Sequence, residues 1–77
     1  MQTLFKTSAF FRIDNTIISL DLLGATSKTF HFFEHASGRH YYLPQNTFRF
    51  IQEHPEVNLH AYPWGEDAET RQTFILR

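Results

Sequence analysis

From Leu4 to Leu23, apolar and polar residues alternate on either side of Asp14-Asn15, and no other pattern restricts the fold as much. Asp and Asn tolerate positive φ, which a two-residue hairpin turn demands. Pairing Ile13 with Thr16 sets Phe11 opposite Ile18, Ala9 opposite Leu20 and Thr7 opposite Leu22. One face of the hairpin then carries Phe5, Phe11, Ile13, Ile18, Leu20 and Leu22. The other carries Leu4, Lys6, Ser8, Phe10 and Arg12 beside Ile17, Ser19, Asp21 and Leu23. A slip of one residue would mix these sets, so the register is strongly specified.

After the polar connection Gly24 to Lys28, Thr29 to His35 reads as a third strand with Phe30 and Phe32 continuing the apolar face. Ser37-Gly38 then turns the chain into a fourth strand, Arg39 to Leu43. A two-residue loop would pair Phe32 with Leu43, Phe33 with Tyr42, Glu34 with Tyr41 and His35 with His40. A three-residue loop with Gly38 in the left-handed region would pair Phe33 with Tyr41 instead. Pro44 suits a helix start, and Gln45 to His54 carries Phe48 and Ile51 at helical spacing before Pro55 ends it. Val57 to Tyr62 and Arg71 to Leu76 alternate as two further strands around the acidic loop Pro63 to Thr70. The order ββββαββ predicts a small α+β domain: an antiparallel sheet with one short helix packed on its apolar face, or a partly open barrel.

Seventy-seven residues make a single domain, and a chain of that length buries only about 60% of the surface its unfolded form exposes. Cysteine is absent, so neither a disulfide framework nor a thiolate zinc site can reinforce it. No apolar run approaches the roughly 20 residues of a membrane span, and no secretory leader is evident, so a cytoplasmic protein without membrane contact is expected. Seven basic residues against eight acidic ones give a formal charge of −1. That balance argues against a protein living on phosphate backbones.

The face away from the helix keeps a large apolar share. Phe10, Ile17, Phe33 and Tyr42 lie there among Arg12, Asp21, His31, His35 and His40. At about 25 cal/mol per Å² of apolar area, leaving several such side chains in water forfeits several kcal/mol, comparable with the stability of a small domain. Either the sheet curls so that the last strands cover this face, or another molecule does. The reading preferred is a non-catalytic protein-binding module that uses Phe10, Arg12, Ile17, Phe33, His35, His40, Tyr42 and Trp64 against a protein partner or a second copy of itself. A domain of this size and charge balance would suit an accessory or mobile-element protein, such as a phage-encoded inhibitor.

Two alternatives use the same residues. Phe10, Phe33 and Tyr42 beside Lys6 and Arg12 could stack single-stranded nucleic acid, although the charge balance disfavours it. His35 and His40, with Glu34, Arg39 and Tyr41, bring the residue types of a metal-independent ribonuclease to one hairpin. No metal or cofactor is expected. His31 and His35 share a face but lie about 13 Å apart along a strand, and His35 with His40 would supply only half a site.

Overall fold

The computed structural model describes residues 8–76. The expectations resting on Leu4, Phe5, Lys6 and Thr7 lie outside those residues. Strands β1 (Ser8–Ile13), β2 (Thr16–Ala25), β3 (Thr29–Glu34) and β4 (Arg39–Pro44) precede helix α1 (Gln45–Glu53), and β5 (Asn58–Pro63) and β6 (Arg71–Leu76) follow it. The six strands close into a barrel in the order β1-β2-β3-β4-β6-β5.

The first hairpin has the register its alternation dictates, with Ile13 opposite Thr16, Phe11 opposite Ile18 and Ala9 opposite Leu20. Asp14 and Asn15 have φ of 48° and 68°, the left-handed pair of a type I′ turn. The turn is also tied to β5: the Asp14 N–H donates to the Leu59 carbonyl, the Asn15 N–H donates to Asn58 Oδ1, and the His60 ring meets the Asp14 carboxylate.

The second hairpin departs from both expected registers. Phe33 lies opposite His40, Glu34 opposite Arg39 and Phe32 opposite Tyr41. The loop between Glu34 and Arg39 therefore holds four residues, His35 to Gly38. Its geometry comes from an N–H of Gly38 that donates to the Glu34 carbonyl at 2.8 Å, Gly38 at φ 76°, and the Ser37 hydroxyl on the Glu34 carboxylate. His35 and His40 are consequently not cross-strand partners.

The sheet is antiparallel from β1 to β4 and between β5 and β6, but two parallel seams complete the circle. One joins Arg12-Ile13 to Asn58-Leu59, and the other joins His40-Tyr41-Tyr42 to Arg71-Gln72-Thr73. The barrel is thus closed rather than partly open. β5 and β6 form part of the wall and leave its outer surface uncovered. Between β2 and β3 the register shifts at Leu23, a bulge that bends the longest strand.

Inward-facing Phe11, Ile13, Leu20, Phe32, Tyr41, Leu43, Leu59 and Phe74 fill the barrel, joined by Ile51 from the helix. Phe11 meets Phe32 edge-on at 5.0 Å, and Tyr41 stacks on Phe74 at 4.9 Å. The helix packs on this inner face. Its Phe48 ring lies 5.1 to 6.0 Å from those of Phe11, Phe30 and Phe32, and interior rings can be reached only through an open end of a closed wall. Its start is held by the Gln45 N–H on the Lys28 carbonyl and the Gln45 side chain on the Thr26 carbonyl. Among the described residues no helix is long and apolar enough to cross a membrane.

Among the described residues, Gln72 and Tyr41 bring polar groups to the interior. Gln72 donates from Nε2 to the Ala68 carbonyl at 2.9 Å, and the Tyr41 hydroxyl donates to Glu34 Oε1 at 3.2 Å. Burial raises the Tyr41 phenol above its ordinary value, and the Glu34 carboxylate adds to that shift. The unfolded chain therefore ionises first. Above about pH 10, unfolding releases a proton that the fold retains, and stability falls as pH rises. Urea midpoints measured from about pH 9 to pH 11 are expected to drop more steeply for the wild type than for Tyr41→Phe. Leu20→Ala, at a fully buried position, is expected to cost about 2–5 kcal/mol in the same assay. Ser19→Ala, on the outer wall beside it, should change stability by no more than about 0.5 kcal/mol.

Candidate interaction surface

The outer wall is built by the residues alternating with the core. The expected site residues fall on two hairpins and the segment after β5. Phe10, Arg12 and Ile17 belong to the β1–β2 hairpin, where Arg12 lies opposite Ile17 and Phe10 opposite Ser19. Phe10 is 77% exposed and Ile17 is 55% exposed. Phe33, His40 and Tyr42 belong to the β3–β4 hairpin, with His35 in its loop and Trp64 directly after β5. Phe10 on β1 is set apart from Phe33 on β3 and Tyr42 on β4 by the intervening strand β2.

In the second group the rings form a continuous ladder. His35 meets Phe33 at 4.9 Å, Phe33 meets His40 at 5.0 Å, and His40 meets His31 at 5.0 Å. His31 stacks on Tyr42 at 4.5 Å with 14° between ring planes, and Tyr42 meets Trp64 at 4.5 Å. The four-residue loop creates this order, since it puts His40 opposite Phe33 and Tyr42 opposite His31. Both His35 and His40 thus pack on Phe33, and His40 joins His31 through a ring-nitrogen contact of 2.9 Å.

Each end of the ladder is anchored. His35 Nε2 lies 2.7 Å from Asp21 Oδ2, and the Ser8 hydroxyl donates to Asp21 Oδ1. At the other end the Trp64 backbone N–H donates to the Arg71 carbonyl, and Trp64 remains 46% exposed. Arg71 stands beside His40 across the β4–β6 seam. Burial lowers the His31 imidazole below its ordinary value, and the positive potentials of His40 and then Arg71 add to the effect.

Two open hollows flank the ladder. One of about 350 Å³ lies beside Trp64 and Tyr42, floored by Pro44, Thr26, Thr29 and Thr73. A larger one, about 510 Å³, is lined by Ile17, Asp21, Glu34 and His35, so it joins the foot of the ladder to the β1–β2 group.

His31 and Arg71 were absent from the expected site. Strand alternation places His31 on the outer face, but only the observed register makes it the link between His40 and Tyr42. Arg71 reaches the site through a parallel seam, which leaves no local signature. Among the described residues no group of three or more His, Cys, Asp or Glu side chains is arranged to hold a metal ion.

No protein-family model, curated protein or solved structure matches the chain.

The Tyr42 ring supports Trp64 and His31 together. Tyr42→Ala is expected to cost about 0.5–1.5 kcal/mol beyond the loss of buried area, the range for an aromatic pair. It should also move Trp64 fluorescence to longer wavelength, and an unshifted spectrum would contradict the contact.

Proposed function

We propose that the protein is a non-catalytic binding module whose outer wall is covered by a protein partner. The observation that carries the reading is the ring ladder ending in the exposed Trp64, with Ile17 and Phe10 across the larger hollow. Half-buried aromatic side chains held rigidly by one another lose little conformational entropy when covered, and Trp and Tyr dominate the energetics of many interfaces. Trp64 and Tyr42 form the anchor, Phe33 and His40 the middle of the patch, and Phe10, Arg12 and Ile17 its outlying rim.

Base stacking draws less support from the same geometry. Within the ladder His31 and Tyr42 stack on one another with 14° between their planes, so each already spends one ring face on the other. A nucleobase needs a free aromatic face. Arg12 belongs to the rim, apart from the ladder, and the formal charge of −1 brings no surplus of cations.

The partner is a second copy of the chain or a different protein in the cytoplasm, consistent with an accessory or inhibitor role. Light scattering on a sizing column at two concentrations separates these. If the protein self-associates, Trp64→Ala and Phe33→Glu should each weaken the assembly at least about tenfold, a loss of about 1.4 kcal/mol. If it is a monomer, a partner isolated from cells should show the same dependence, whereas Phe50→Ala on the helix should leave binding intact. Variants that keep the wild-type circular dichroism and every association unchanged would overturn the proposal.

A further inference from the structure

The contact between His31 and His40 joins two metal-binding atoms on a rigid wall. The approaching atoms are His31 Nε2 and His40 Nδ1, at 2.9 Å. Imidazole nitrogens bind first-row transition metals at about 2.0–2.1 Å. Two such bonds at a right angle place the nitrogens about 2.9 Å apart, whereas a tetrahedral angle needs about 3.3–3.4 Å. The observed spacing is that of a hydrogen bond between the rings, so a turn of the rings is needed to bring both lone pairs to one ion, and the choice of metal rests on the affinity order of nitrogen donors. We propose that His31 and His40 form a two-histidine chelate for a divalent transition metal, with Cu²⁺ preferred and Ni²⁺ next, whose remaining positions are open to water or to a donor from another molecule.

The wall holds the two rings side by side before an ion arrives. His31 is stacked on Tyr42, His40 packs on Phe33, and the two histidines sit on adjacent antiparallel strands, diagonal to one another across the His31–Tyr42 and Phe33–His40 pairs. Such preorganisation limits the entropy lost on chelation. Metal entry replaces the hydrogen bond between the rings. The ring holding the shared proton shifts it to its other nitrogen, and each imidazole donates one lone pair, so two neutral ligands bind without net proton release. The metal order follows the general affinity of nitrogen sites, in which Cu²⁺ exceeds Ni²⁺. Arg71, beside His40, opposes the cation and moderates its affinity.

The site shares His40 with the partner-binding patch, and it is tested on the full chain without a partner. Isothermal titration with Cu²⁺ and separately with Ni²⁺ near neutral pH should give one equivalent bound, and His31→Ala and His40→Ala should each weaken binding at least about tenfold. His35→Ala and His54→Ala, outside the pair, should bind as the wild type does. Arg71→Gln should bind more tightly, because it removes the nearby positive charge. Electron paramagnetic resonance of the Cu²⁺ complex should show two equatorial nitrogens. Unchanged binding in both His31→Ala and His40→Ala, or equal loss in His35→Ala, would overturn the proposal, as would absence of binding to the wild type.

Discussion

Two parallel seams, of two and three residue pairs, turn an amphipathic sheet into a closed barrel. Without them β1 to β4 would be an open sheet whose inner face a nine-residue helix could not cover. With them the inner face becomes an interior, and the helix needs only to stopper one end with Phe48 and Ile51. The absence of cysteine makes this economy necessary, because burial must come from wall and stopper together. The β1–β5 seam is reinforced at its corner, where Asp14, Asn15, Asn58 and His60 tie the first turn to the fifth strand. Closure also explains the outer wall: every strand that contributes to the interior turns its alternate residues to solvent.

What the sequence discloses follows the range of the interaction involved. The first hairpin is legible because Asp14-Asn15 and strict alternation are both local, and they agree. The second is legible as a hairpin but not in register. Ser37-Gly38 suggests a tight turn, while a hydrogen bond from Gly38 to Glu34 and the Ser37–Glu34 contact enclose four residues instead. That shift moves His35 out of the ladder of strand pairs and replaces an expected His35–His40 neighbour with the His31–His40 contact. The parallel seams join residues such as His40 and Arg71, far apart in the chain, and no turn or period announces them.

The outer wall shows the same division. Alternation correctly assigns Phe10, Ile17, Phe33 and Tyr42 to one side of the sheet. It cannot show that Tyr42 falls directly opposite His31 and stacks on it, or that His40, diagonal to His31, comes within hydrogen-bond reach of it. A site defined by ring contacts depends on register and curvature together. His31 illustrates this, since its face is evident from the strand pattern while its partners are not.

The position of β6 has a consequence for how the chain reaches its fold. It fits between β4 and β5, yet it is the last of these strands in chain order. During translation the first two hairpins can form from local contacts, and β5 can dock beside β1. The gap between β4 and β5 stays open until Arg71 to Leu76 emerges. Until then Tyr41 lacks the Phe74 ring on which it stacks, and the unpaired margins of two strands face each other across an unfilled slot. Nascent chains of this topology carry that vulnerable opening until β6 has emerged, and this strand then acts as the keystone that removes it.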